Sequence, residues 1–397
     1  MKNKLLITID GIRKDRIGVY NPKAKYLTPN LTRIGGESVV FEDMFAAATS
    51  TGMCFSSIFT GKSQRDFKRS VYGDTCNPFV DDLFTDHEEL GYKTIVCLNQ
   101  RFDIHHRLIN AFGSAEHWWT GVRSDNKNTG SLSPEDQARY LISKLSDIEQ
   151  PVLVWMHLWG FSKPRDDFLE ITPFEYDARV AELDNAIGII FDAFQSNSEM
   201  YFFADHGYSL FEHDKWAYGK DASNISESVC SVPAIFYNGR DKGVNDSLVS
   251  QLRIRELVLD SSKLLKISDK IAFCESRYSG QGDINLAIRM EKFKLIFDFY
   301  KGKSQFYDLH TDPYENIDMA SNKFHKLTRG EVDRHPTPYI LRTDWTLIEL
   351  MHSKMVGMAK TYYGKGYYSA RFRFKERLKR QKLLRATLSF VLKFVNK

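Results

Sequence analysis

The chain has 397 residues, is 42% hydrophobic and 13% aromatic, and carries a formal net charge of +4. That composition excludes an intrinsically disordered chain, and the length favours one large domain with a smaller appendage. Residues 371–397 hold ten Lys or Arg against one Glu, so a basic tail hangs on a mildly acidic body, which argues against a nucleic-acid-binding body.

Leu5 to Ile9 (LLITI) is a short apolar, β-rich run that ends at Asp10-Gly11, and it reads as a buried strand whose carboxyl end delivers an acid. Thr28-Pro29-Asn30 reads as a helix start, capped by Asn30 or Thr28, with Leu31 to Ile34 as the first turn and Gly35-Gly36 as a break. Ser38 to Phe41, Thr94 to Leu98, Val152 to His157 and Met200 to Ala204 are further strands separated by helical or irregular sequence, an order that predicts an α/β sheet. Val180, Leu183, Ile187, Ile190 and Phe194 fall at helical spacing within Tyr176 to Phe194, so an amphipathic helix leads into the strand before Asp205. Short strands at Phe293 to Phe297 and Gln305 to Leu309 predict a small antiparallel subdomain, and residues 331–365 read as irregular and aromatic. Trp118-Trp119, beside His117, are better explained by core packing than by a pocket wall.

Cys54, Cys76, Cys97, Cys230 and Cys274 are scattered without CxxC spacing, which gives no disulfide framework and suits a reducing compartment. The Leu5 to Ile9 run is too short for the apolar region of a signal peptide, so a cytoplasmic chain without a removable leader is expected. No run of about 18 apolar residues exists to span a bilayer.

The residues suited to chemistry stand at strand ends, where an open α/β sheet builds its site. Asp10 follows LLITI, and Asp205-His206-Gly207 follows MYFFA. Between them lies Ala46 to Lys62, AAATSTGMCFSSIFTGK, in which small and hydroxyl residues precede a helix-like stretch ending at Thr60-Gly61. Together with the opening block ITIDGIRKDRIGVYNPKAKYLTPNLTRIGGESVVFED, the chain resembles the sulfatase-like branch of the alkaline phosphatase superfamily. Later blocks carry the same resemblance in order: DHGYSLFEHDKWAYGK (Asp205 to Lys220), ESVCSVP (Glu227 to Pro233), RELVLDSSKLLKI and FKLIFDFYKGKSQFYDLHTDPYEN (Phe293 to Asn316). It covers roughly residues 5–320. It implies an alkaline phosphatase-like mixed sheet between helices, with residues 1–270 as catalytic domain, 271–330 as a C-terminal antiparallel subdomain of the same fold, and 331–397 as an irregular segment plus basic amphipathic tail.

In that family the nucleophile lies nine residues before the Thr of a Thr-Gly pair, which from Thr60 is Thr51. The resemblance further implies Asp10, Thr51, Asp205 and His206 as metal ligands, with His213, Lys220 and His157 stabilising charge or carrying protons. Departures from the family pattern are equally specific. Cys54 is followed by Phe55, Ser56, Ser57 and Ile58, so the Cys-x-Pro-x-Arg motif that makes formylglycine is absent. Gly11 replaces a second Asp, Leu98-Asn99-Gln100-Arg101 replaces a Lys-x-x-His, and Ser162 stands where a second His accompanies His157. This reduced set resembles the phosphoglycerol- and phosphoethanolamine-transferring members, which use a threonine nucleophile and one essential metal.

A threonine hydroxyl is a poor nucleophile at neutral pH, and coordination to a divalent cation lowers its pKa. Two carboxylates and an imidazole favour Mn²⁺ or Zn²⁺, with Ca²⁺ or Mg²⁺ as the oxygen-preferring alternatives. The expected activity is metal-dependent hydrolysis or transfer of a phosphate ester on a glycan, such as a cell-envelope glycan, a lipid or glycerol, through a covalent threonine. The alternatives are a sulfatase working without formylglycine on a sulfated substrate, and an inactive family member that binds a glycan or protein. Tyr368 to Lys397 forms a basic amphipathic helix in this reading, suited to peripheral contact with the inner face of an anionic membrane, with no motif for specific nucleic-acid binding.

Overall fold

The computed structural model describes residues 1–66, 81–98, 115–120, 132–159, 172–210, 225–277, 284–299, 302–320 and 345–362. The elements in chain order are β1 (Asn3–Ile9), α1 (Pro29–Gly36), β2 (Val39–Phe45), α2 (Thr51–Thr60), α3 (Leu83–Glu89), β3 (Lys93–Leu98), β4 (Glu116–Trp119), α4 (Pro134–Leu145) and β5 (Val152–Leu158). There follow α5 (Pro173–Phe194), β6 (Ser198–Ala204), α6 (Glu227–Cys230), β7 (Ser231–Val232), β8 (Ala234–Tyr237), β9 (Gly243–Ser250) and α7 (Ile254–Leu259). The last are β10 (Ala272–Arg277), β11 (Ile284–Met290), β12 (Phe293–Asp298), β13 (Lys303–Asp308) and α8 (Trp345–Tyr362).

Nine strands form one mixed sheet in the order β4-β3-β5-β1-β6-β8-β2-β7, with β9 also paired to β2. Its centre is parallel: β1 lies between β5 and β6, with Leu5 opposite Val154 and Met200. These strands are buried on both faces, which is why LLITI, VLVWMHL and MYFFA read as nearly unbroken apolar runs rather than alternating ones. Pro233, which has no amide hydrogen to give a ladder, separates β7 from β8, and both pair antiparallel with β2. A second sheet of four antiparallel strands runs β10-β11-β12-β13.

The 22-residue helix α5 starts with a capping box between Thr172 and Glu175 and buries Val180, Leu183, Ile187, Ile190, Phe191 and Phe194. It also presents the buried Asp184 to the start of α1, where the carboxylate accepts from the amides of Asn30 (2.9 Å) and Leu31 (2.7 Å) and from Asn30 Nδ2 (3.0 Å). The cap of α1 thus comes from another helix. Thr28 occupies the N-cap position without a side-chain cap bond, Asn30 is already helical, and Gly35-Gly36 close the helix rather than interrupt it.

Residues 331–365, expected to be irregular, contain α8. Met355, Ala359 and Tyr362, spaced by four and three, are buried in the second core with Leu286, Ile288, Leu295 and Phe306 of the small sheet. The helix therefore owes its stability to a sheet that the isolated segment does not reveal. Among the described residues no helix is long and apolar enough to cross a membrane. The basic tail, 368–397, lies outside the described residues, as do Cys76 and residues 99–101. Cys54, Cys97, Cys230 and Cys274 are free and buried, and Trp118 belongs to the main core.

His87, in the last turn of α3, is wholly buried and its Nδ1–H donates to Leu83 O at 2.7 Å. Burial pushes its pKa down from the ordinary 6.5 to about 4. The unfolded chain therefore takes up this proton first, so the contribution is intact above about pH 6.5 and is lost as pH falls through about 4. At about 1.4 kcal/mol per unit, urea unfolding at pH 7 and pH 4 should show roughly 3 kcal/mol less acid loss in His87→Gln than in the wild type. Equal losses in the two proteins would show that His87 does not titrate this way.

Candidate active site

Ile9 of β1 is in register with Ala204 of β6, so the next residues, Asp10 and Asp205, leave the sheet side by side. The Asp10 amide continues the ladder on the other side by donating to Leu158 O of β5 (3.0 Å). Gly11 then turns the chain with φ 64°, a left-handed conformation in which any other residue is strained. Its amide donates to Asp205 Oδ1 (3.1 Å), as does the amide of His206 (2.9 Å). With Oδ1 satisfied twice, Oδ2 is directed to His206 Nε2 at 3.4 Å and has no hydrogen-bond partner among the described residues.

His206 is held by its other nitrogen. Nδ1 lies 2.8 Å from Gly207 O, an acceptor only, so Nδ1 carries the proton and Nε2 presents its lone pair. Nε2 is 3.7 Å from Asp10 Oδ1 and 3.4 Å from Thr51 Oγ1, and Thr51 Oγ1 is 3.3 Å from Asp10 Oδ1. Thr51 is the first residue of α2, so its hydroxyl stands where the unpaired amides and the positive end of the helix favour an anion. All four residues are buried.

This set suits a cation. Asp10, Asp205 and His206 offer ligand atoms within 4.8 Å of one another. Ligands bound about 2.0–2.2 Å from one ion stand roughly 3–3.6 Å apart, close to the separations seen here. Two carboxylates buried together are unfavourable without an ion or protons between them, and the Asp205 oxygen without a hydrogen bond faces that space. Such O/N donors fit Mn²⁺ or Zn²⁺.

The other expected residues are placed differently. His157, on β5, is fully buried outside this cluster. Its Nδ1 is 2.8 Å from Thr8 Oγ1, and its ring meets Phe55 edge-on at 5.0 Å, one turn along α2 from Thr51. His213, Lys220 and Ser162 lie outside the described residues. Cys54 is buried, with Sγ 3.2 Å from Ala48 O. Arg13 is engaged with Asp15 through two 2.8 Å bonds and donates to Tyr208 O at 3.3 Å.

Residues that carry no motif hold the parts together. Gln251, buried in a short turn after β9, accepts from Ala47 N (3.0 Å) and donates to Ala204 O (2.7 Å), tying the loop before Thr51 to the strand before Asp205. Tyr176 of α5 donates to Gly11 O and accepts from Arg13 N, both at 2.8 Å. Glu275 of β10 pairs through its backbone with Ala47 and Thr49, and its side chain accepts from Tyr362 at the end of α8 (2.8 Å).

Solved structures share this architecture over nearly the whole chain. A 2-O GAG sulfatase superposes with a TM-score of 0.70, covering 93% of this chain and 94% of its own at 12% identity. The phosphonate monoester hydrolase of Agrobacterium radiobacter gives 0.66, covering 91% and 96% at 14% identity. The chain thus has the fold of these sulfatase and phosphonate monoester hydrolase structures. A third neighbour, solved in complex with its substrate D-glucosamine-2-N,6-O-disulfate, gives 0.66, covering 91% and 98% at 14% identity. No family model matches the sequence, and neither does any curated protein. Within the sulfatase-like fold, Asp10, Thr51, Asp205 and His206 come from three separate segments and meet at one edge of the large sheet.

Gln251→Met keeps the side-chain length but strands the Ala47 amide and the Ala204 carbonyl in the interior. The expected loss is ~1–3 kcal/mol of unfolding free energy, measured by urea titration. An unchanged midpoint would mean that the two segments do not rely on this bridge.

Proposed function

We propose that the chain is a metal-dependent hydrolase or transferase of anionic esters, with Thr51 as nucleophile and a phosphate ester as substrate. The observation that carries this reading is the Thr51 hydroxyl at the start of α2, 3.3 Å from Asp10 and 3.4 Å from His206 in a buried Asp/Asp/His cluster. Asp10, Asp205 and His206 would hold the cation, which when bound lowers the pKa of the Thr51 hydroxyl and offsets negative charge on the ester. Thr51 Oγ forms a bond to phosphorus in line with the departing oxygen, and the bond to that oxygen breaks with its electron pair. The departing oxygen takes a proton, and the phosphothreonine is resolved by water or by an acceptor hydroxyl. His213 and Lys220, with His157 as a third group, are assigned to proton transfer and to the nonbridging oxygens. The N-terminus of α2 adds fixed positive potential where negative charge collects.

Phosphate is preferred to sulfate because the nucleophile position holds Thr51, and Cys54 is buried a turn further along the helix without the formylglycine motif. A glycan-, lipid- or glycerol-linked phosphate fits this chemistry. The second reading, a sulfated glycan, rests on the neighbour solved with glucosamine disulfate. The inactive binding module is the third.

Chromogenic phosphomonoester, phosphodiester and sulfate ester separate these readings. After chelation and return of Mn²⁺ or Zn²⁺, wild-type turnover should be highest on a phosphate ester and be inhibited by inorganic phosphate. Thr51→Ala should lower it by at least ~10³-fold, with metal binding retained. Preference for the sulfate ester would establish the second reading. No turnover together with no metal binding by the wild type would leave the binding module.

Loss of a ligand is tested apart from catalysis. Asp205→Asn should weaken Mn²⁺ binding, read by isothermal titration calorimetry, by at least ~10²-fold while the protein still melts cooperatively. Wild-type affinity in this variant would remove Asp205 from the ligand set.

A further inference from the structure

At the start of α6, a cation is buried between two carboxylates. Lys294 of β12 is fully buried, with Nζ 2.7 Å from Glu315 Oε1 and 3.0 Å from Glu227 Oε2. Arg289 of β11 extends the group, 2.9 Å from Asp43 of β2 and 3.8 Å from Glu227. Burial alone would lower the Lys294 pKa, but Glu227 and Glu315 raise it above its ordinary value. Burial alone would raise that of Glu227, but Lys294 and Arg289 lower it below its ordinary value. Lys294 and Glu227 therefore each favour the charged form of the other. Replacing such a buried network with apolar side chains is often neutral or stabilising, so stability alone is a poor reason for its presence.

The group bears directly on the position of the site. Glu227 opens α6, a helix of four residues, too short to hold its own place. Its amide donates to Glu315 Oε2 (2.7 Å) while its side chain meets Lys294. Glu315 has φ 55°, a left-handed conformation that is uncommon outside glycine, Asn and Asp, so the chain accepts backbone strain to aim this carboxylate. The three carbonyls after Glu227 then grip both halves of the site. Ser228 O accepts from Tyr208 N (3.1 Å), Val229 O from Gly207 N (2.8 Å) and Cys230 O from Ala46 N (2.7 Å). The grip is backbone on backbone: a Cβ at Gly207 would lie 2.0 Å from Ser228 O. Gly207 O in turn accepts from His206 Nδ1.

We propose that Lys294, Glu227 and Glu315 form a positioning centre that sets α6 and, through Gly207, the orientation of the His206 imidazole. In its consequence for metal affinity this rests on the metal reading above. Its consequence for the order of the 207–208 turn does not.

The test uses the full chain and the variants Lys294→Met, Glu315→Gln and, as a control, Asp184→Asn, which disturbs the buried carboxylate that caps the start of α1. Mn²⁺ affinity is read by isothermal titration calorimetry, and hydrogen exchange of the Gly207 and Tyr208 amides is read in the metal-free protein. Lys294→Met and Glu315→Gln should bind Mn²⁺ about 10–100-fold more weakly than wild type. They should also exchange the two amides at least tenfold faster than Asp184→Asn does once thermal midpoints are matched. Asp184→Asn should keep Mn²⁺ affinity within about twofold. Wild-type affinity and protection in the network variants, or equal losses in the control, would overturn the proposal. If Lys294→Met does not fold, Glu315→Gln, with Glu227→Gln beside it, decides by the same readouts. If the wild type binds no Mn²⁺, the metal reading fails, and amide exchange alone decides the positioning role.

Discussion

Everything at the site depends on one constraint, the parallel pairing of β1 with β6 in a register that sets Ile9 opposite Ala204. The pairing brings Asp10 and Asp205, distant in sequence, to the same edge of the sheet, with Gly11 N and His206 N sharing one oxygen of Asp205. A slip of one residue would turn the side chains of one strand to the opposite face and disperse the cluster. The slip is opposed from both sides, because both faces of β1 are buried and β5 pairs with it along the same six residues. A large apolar core thus sets the spacing of a few polar atoms.

Two kinds of polar contact surround that edge, and they act differently. Neutral bridges such as Gln251 and Tyr176 satisfy backbone groups that the sheet leaves open at its carboxyl end. Charged contacts join separate elements: Asp184 caps a helix across an interhelical packing, and Lys294 joins the small sheet to the start of α6. The second sheet therefore supports the first from behind rather than forming a separate unit, since Glu275 also pairs with the segment that leads into Thr51.

What could be read from the sequence follows from this arrangement. Doubly buried parallel strands are continuous apolar runs, so β1, β5 and β6 were visible, and with them the strand-end positions of Asp10 and Asp205. Thr51 was reached through spacing from Thr60 and through resemblance, and the structure places its hydroxyl beside those residues. The supporting residues left no such trace. Gln251, Asp184, Lys294 and Glu315 act on partners tens to hundreds of residues away, and each looks like an ordinary surface polar residue until the chain has folded. The helix α8 was hidden for a related reason. Its buried inner face includes Met355, Ala359 and Tyr362, and the surface that makes these apolar contacts meaningful is a sheet built from residues 272–308.

The bond from Tyr362 to Glu275 has a consequence for how the protein comes into being. Thr51 leaves the ribosome well before Glu275, whose backbone pairs with the loop ahead of Thr51 and whose side chain accepts from Tyr362. Contacts this far apart in sequence close late, because a long loop must be ordered before they form. Nascent chains therefore carry the loop ahead of Thr51 without this support until residue 362 has emerged.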